Sequence, residues 1–323
     1  MSLPSSRINY AIGAAAWGSK AQQEGLLVID HCEPEQVIDS PNSVEVAKSQ
    51  RMPDGQDCSI GSLYYVWNLS TVFTPAHAIL LLDKFFEGTT VGVAPGYARA
   101  YQAEDILSEP LTPYLNVWKK TAKEGHDHNL CCYNGLVTGI SLSKSPGKAM
   151  TLGARCAFGA RSLIEADPGH WAIDRAHGAI NPPIEGAILC LIASPGGTYT
   201  IFKVTDFNIN LSCEFTPHFW GSQNPDRWTR GKVALSGDIQ LRDITDEIET
   251  LTSWLEDSTS KSAWLYFGST ASLYLNLKIV GGGAAEDEIT RNGKFNFTGI
   301  YESTATYPSG FRFALTPGRA YTP

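Results

Sequence analysis

The sequence has no apolar run of the roughly 18 residues that a membrane-spanning helix requires. Residues 1–20 also lack a charged segment followed by an unbroken apolar one. A soluble protein without signal peptide or membrane span is therefore expected. Charge is scarce as well, at 18% of residues, and its balance of −8 has the wrong sign for gripping nucleic acid. Proteins that grip phosphate backbones cluster Lys and Arg to displace counterions. An acidic chain can still let nucleic acid pass without holding it. No C-x-x-C spacing occurs, and the seven cysteines (positions 32, 58, 131, 132, 156, 190 and 213) form an odd set. Cys156 and Cys190 lie in apolar runs, where cysteine usually serves as a small core residue. Both features argue against a disulfide framework and for a reducing cytoplasm as the place of synthesis.

What is abundant points to sheets and turns. Hydrophobic residues make up 43% of 323 residues, aromatics 11%, with 30 Gly and 18 Pro. That is enough apolar material for two ordinary cores, and the composition argues against disorder. The stretch 58–88 organises the chain. Its first half alternates, with Tyr64, Val66 and Asn68 on one face and Leu63, Tyr65, Trp67 and Leu69 on the other, as a strand does. A helix follows with clear punctuation: Thr74 as N-cap, Pro75 at the first helical position and Gly88 to close the end. Ala78, Leu81, Leu82 and Phe85 recur at helical spacing, so one side is made for burial.

The same unit returns. Residues 232–241 alternate as a strand and lead into a second amphipathic helix, residues 243–258, with Ile244, Ile248, Leu251 and Leu255 on its apolar side. A strand carrying Tyr-Leu-Asn follows each helix, at Tyr114-Leu115-Asn116 and Tyr274-Leu275-Asn276, and each half closes with a strand-turn-strand segment, 136–162 and 277–303. The order of elements predicts two tandem β-rich domains with one flanking helix each. Their boundaries are 1–162 with an N-terminal arm, a linker at 163–183 ending in Asn-Pro-Pro, and 184–323 with a C-terminal tail. Residues 1–24, 32–55, 88–110 and 303–323 read as an arm, two long loops and a turn-rich tail; the arm, the tail and the 88–110 loop are expected to become ordered only in an assembly. Residues 216–230 read as an aromatic loop, and Gly281-Gly282-Gly283 with the acids after them as a long flexible turn.

Each chemically suggestive cluster has a structural explanation. His126, Asp127, His128, Cys131 and Cys132 crowd possible metal ligands together, but vicinal cysteines cannot easily both face one tetrahedral ion. Ser141 and Lys144 match S-x-x-K, yet on a strand rather than the helix that acylation chemistry uses. The three glycines lack a following Lys-Ser/Thr or dinucleotide spacing. Asp243, Asp246, Glu247, Glu249, Glu256 and Asp257 make a solvated helix face. No catalytic set, metal site or cofactor site is assigned. The residues singled out are the helix-core side chains Leu81, Leu82, Phe85, Ile248, Leu251 and Leu255.

The segment 133–158, YNGLVTGISLSKSPGKAMTLGARCAF, resembles the hairpin of phage tail tube proteins: a Y-x-G strand, a serine-rich alternating strand, a Pro-Gly turn and an outgoing strand. Residues 12–21, IGAAAWGSKA, resemble that family's N-terminal phrase, with Ser19 where Thr is usual, and the insertion at 88–110 is longer than the family's pattern. The resemblance implies two tandem β-sandwich or partial-barrel domains. It implies a structural virion protein of the phage tail, made in the host cytoplasm, that is no enzyme. Copies would form trimeric pseudo-hexameric or hexameric rings whose inner sheets join into a barrel. Stacked rings would form the tube through which double-stranded DNA leaves, an acidic lumen keeping the genome from adhering. Tape measure, tail terminator and distal tail proteins would be its other partners. The alternatives are a distal tail or baseplate ring of the same domain type, and a carbohydrate-binding β-protein, for which no convergent carboxylate pair is found.

Overall fold

In the computed structural model, the described residues are 9–19, 23–28, 31–39, 62–86, 90–91, 98–102, 114–119, 129–165, 188–193, 198–242, 245–257, 260–267, 271–286, 291–300 and 311–315. The protein is mainly β; among the described residues it has one large antiparallel sheet of sixteen strands and two short helices. The strands are β1 (Asn9–Ala15), β2 (Gln23–Val28), β3 (His31–Asp39), β4 (Ser62–Val72), β5 (Thr90–Val91), β6 (Arg99–Gln102), β7 (Tyr114–Lys119) and β8 (Asn129–Lys144). They continue as β9 (Thr151–Glu165), β10 (Ile188–Ala193), β11 (Thr200–His218), β12 (Arg227–Arg242), β13 (Lys261–Phe267), β14 (Ala271–Glu286), β15 (Arg291–Gly299) and β16 (Phe311–Leu315). Helix α1 (Pro75–Phe85) follows β4, and α2 (Thr245–Asp257) follows β12.

Both helices form where their sequence signals lie. Thr74 is extended and its side chain accepts the His77 amide at 3.2 Å, while Pro75 takes a position where no N–H is needed. At its other end Phe86 leaves the helix in an extended conformation with its amide still bonded to the Leu82 carbonyl, and Gly88, expected to close the helix, lies outside the described residues. α1 packs on β8 and β2, α2 on β14 and β15. Leu81, Leu82, Phe85, Ile248 and Leu251 are buried, and Leu255 is half-buried against the same core.

Strand pairing follows one order twice. After α1, β7 pairs β8, β8 pairs β9, and β9 returns to β4. After α2, β13 pairs β14, β14 pairs β15, and β15 returns to β12. β1 joins β7 and β2, as β10 joins β13 and β11. In the second set β11 is unbroken and bonds β10, β12 and also β8. The pairings β11–β10–β13–β14–β15–β12 thus close on themselves. β8 and β14 are each 16 residues long and hold corresponding places. The Tyr-Leu-Asn tripeptides do not correspond: the first lies in β7 and the second in β14.

Several expected loops are strands. β1 falls in the expected arm, β3 in the expected loop 32–55, β6 in the insertion and β16 in the tail. Each is ordered within the chain by its neighbours, because β16 bonds β14 and β6 bonds β16. Phe311, Phe313, Leu315 and Tyr101 are buried there, with Phe86 stacked on Phe311 at 5.7 Å. The glycine run is also a strand. Gly282 has φ +126, and a Cβ on it would meet the Lys294 carbonyl oxygen at 2.2 Å, so glycine carries β14 past the bulge at Ile279/Gly281. The supposed aromatic loop is the end of the β11–β12 hairpin, with Trp228 paired to Pro217. One buried apolar cluster extends from Ile12 to Leu315 through both sets of strands. Residues 166–187, which hold most of the expected linker, lie outside the described residues.

Candidate functional site: a polar sheet face and the clasp at its end

Eight strands in the order β3-β4-β9-β8-β11-β12-β15-β14 form a continuous surface. Every second side chain from β4 through β15 points into the core: Trp67, Leu152, Leu142, Ile209, Ile239 and Phe297 are all buried. The opposite face is polar in rows that cross the strands. Thr151, Ser143, Asn208, Asp238 and Asn296 are successive cross-strand partners, and so are Ser70, Gly153, Ser141, Asn210, Ser236 and Thr298. A third row runs Asn68, Arg155, Gly139, Ser212, Ala234. Alternation of this kind is the mark of strands with one dry and one wet side.

Hydroxyls and amides dominate this face, with charges interspersed. Arg155, Lys232, Lys278 and Lys294 stand among Asp206, Glu214 and Asp238, and Lys294 pairs Asp238 at 3.4 Å. The acid excess of the whole chain is not concentrated among the described side chains of this face. Ser143 and Thr151 bond each other across β8 and β9 at 3.1 Å. Ser141 and Lys144, the S-x-x-K match, belong to this face or the strand end beside it.

At one end the polar rows give way to aromatics covered by the β11–β12 hairpin. Trp228 is buried with Leu136 and Ala157 and meets Tyr64 and Phe215 edge-on at 6.0 and 5.7 Å. Its indole N–H donates to the Asn134 carbonyl at 2.7 Å, and the Asn134 side-chain oxygen accepts the Gly18 amide at 2.7 Å. Asn134 has φ +57, a left-handed conformation asparagine tolerates better than most residues. The Asn-Gly dipeptide in the expected strand was the available signal for this hub. The Leu63 amide donates to the Gln223 carbonyl at 2.7 Å, tying the hairpin turn to β4. Trp220, at the turn, is 92% exposed. On the far side of the clasp Arg230 is buried, donates to the Lys84 carbonyl at the end of α1 at 3.3 Å, and lies over the Phe85 ring.

A second polar cluster fixes the insertion. Arg99 pairs with Asp83 of α1, and the Tyr101 hydroxyl donates to the same carboxylate at 2.7 Å. Burial first, then the Asp83 charge, push the Tyr101 phenol well above its ordinary value, and burial raises the Cys190 thiol to about 12. Neither group is poised to react near neutrality.

The expected clusters separate. Cys131 packs with Trp118 while Cys132 enters the main core on the other face; His126 and His128 lie outside the described residues. Among the described residues no group of three or more His, Cys, Asp or Glu could hold a metal ion, and no helix is long and apolar enough to cross a membrane. The sequence matches no protein-family model, and no curated protein matches it.

Proposed function

We propose that the protein is a structural subunit of a phage tail, with copies closing into rings that stack as the tail tube and give DNA a conduit for ejection. The observation that carries this reading is the eight-strand surface, whose described side chains from β4 across to β15 form hydrophilic rows. A wall of hydroxyls, amides and balanced charge offers a polyanion no cluster of cations to bind, so it can slide past. Recurrence of one pairing order around α1 and α2 supports two copies of a domain, 1–162 and 184–323, each a β-sandwich or partial barrel with its own helix. The resemblance of residues 133–158 to the tail-tube hairpin supports the same reading, since this segment is a β8–β9 hairpin turning at Gly147, φ +70. On this reading the partners are further copies, the tape measure, terminator and distal tail proteins, and DNA in transit. The role is not enzymatic, and the mature location is the virion.

Negative-stain microscopy of the purified protein at increasing concentration is the test. Rings and stacked tubes are the expected result. Single rings that never stack would move the protein to the distal tail or baseplate, and a monomer at every concentration would overturn the reading.

A further inference from the structure

The eight-strand surface ends in two edges that the described residues leave open, and its middle holds a junction that matches them. β3 is bonded only to β4 among the described residues, and β14 has no described partner beyond Leu277 on the side where β13 ends. At the centre, β8 continues past the end of β7 and uses that side to bond β11, with Ser141 opposite Asn210. Open edges of this kind are templates for pairing.

We propose that β3 of one chain pairs antiparallel with residues 281–286 of a second copy, in the register by which β8 meets β11 within the chain. This rests on the ring reading and specifies its contact. The register follows from matching rows. The β8 bulge at Val137/Gly139 ends two residues before Ser141, and the β14 bulge at Ile279/Gly281 ends two residues before Gly283. Ser70 leads across β9 to Ser141, and Gln240 leads across β15 through Lys294 to Gly283. On their other sides Ser70 faces His31 and Gln240 faces Asp206. His31 thus holds the place of Asp206, and Glu35, four residues on, that of Asn210. Glu35 therefore falls opposite Gly283, Val37 opposite Gly281 and Glu33 opposite Ala285.

The chemistry of the two edges suits the pairing. No like charges are opposed in those three pairs. A Cβ at Gly283 would meet nothing within 4 Å, leaving space for a neighbour. Pro34 takes the place of Ile209 and, lacking an N–H, removes at most one ladder bond. Each chain contributes eight strands to a shared barrel. Two copies would close a sixteen-strand barrel, the size of a porin channel, while three close one about half as wide again, since diameter grows roughly linearly with strand number.

Chains carrying Glu35→Cys are mixed with chains carrying Gly283→Cys under mild oxidation, and the cross-linked peptides are read by mass spectrometry. The unmodified chain controls for the native cysteines, and circular dichroism confirms that each variant folds. A disulfide between 35 and 283 is expected, at least about tenfold above that formed when Gly281→Cys replaces Gly283→Cys, because a two-residue slip carries the Cα atoms beyond bridging distance. Rings in the microscope without the 35–283 bond, or with 35–281 equally formed, overturn this contact and leave the ring reading standing. Absence of any oligomer overturns both.

Discussion

The strands before α1 and those before α2 make the same pairings, but only in the second set does one described strand run through all of them. In the second set one strand, β11, serves two neighbours in succession: it leaves β10 after Val204 and takes up β8 from Phe207, with a bulge at Val204/Asp206 between them. In the first set β2 beside β1 and β3 beside β4 hold the corresponding places, with residues 29–30 between them outside the described residues. The second set shows how a circuit of strands closes, with one strand bending across the corner. A bulge supplies the bend by adding a residue and sharpening the local twist.

The two sets nonetheless share one core and are clasped by Trp228, and substitutions can ask how far they depend on each other. The largest effect is expected at the clasp. Trp228→Ala removes the ring packed against Tyr64, Phe215 and Leu136 and should cost about 3–5 kcal/mol. Trp228→Phe, which loses the bond to the Asn134 carbonyl but keeps most of the packing, should cost about 1–3 kcal/mol. Chemical denaturation of both variants checks the ranking; equal losses would show that the hydrogen bond rather than the packing holds the hairpin.

Next come the paired helices. Leu81→Ala and Leu251→Ala each empty a fully buried site and should cost roughly 2–5 kcal/mol. Because one apolar cluster spans both sets, each variant should lower a single cooperative transition. Two transitions in calorimetry, with only one displaced by each substitution, would mean that the sets unfold as independent domains.

The smallest expected effect concerns what only the first set possesses, the insertion carrying β5 and β6. Asp83→Asn weakens the tie to buried Arg99 and Tyr101 and should cost about 1–3 kcal/mol. Limited proteolysis of this variant should cut near residues 98–102 sooner than in the unmodified chain. An unchanged cleavage pattern would show that pairing with β16, not the carboxylate, anchors the insertion.

Much of this was legible in the sequence where local chemistry and tertiary environment agree. Thr74-Pro75 announced α1, the apolar stripes identified Leu81 and Leu251, and the equal hairpin segments located β8–β9 and β14–β15. Other elements were hidden because edges obey different rules. β3, reading HCEPEQVID, contains a proline and three acids that would disqualify a central strand but are at home on an edge. β6 has four residues and draws its order from Asp83 and β16, contacts distant in sequence. The glycine run signals flexibility on its own, yet ladder bonds to β15 hold it extended. The tripeptide misled because three letters carry no register, whereas strand partners do.

The rows crossing β9, β8 and β11 have one more property. Serine, threonine and asparagine side chains carry no charge near neutrality, yet each offers both a donor and an acceptor. Along these side chains a passing molecule meets hydrogen-bonding groups that can be satisfied by water on either side of it, with no fixed charge to be displaced at each step.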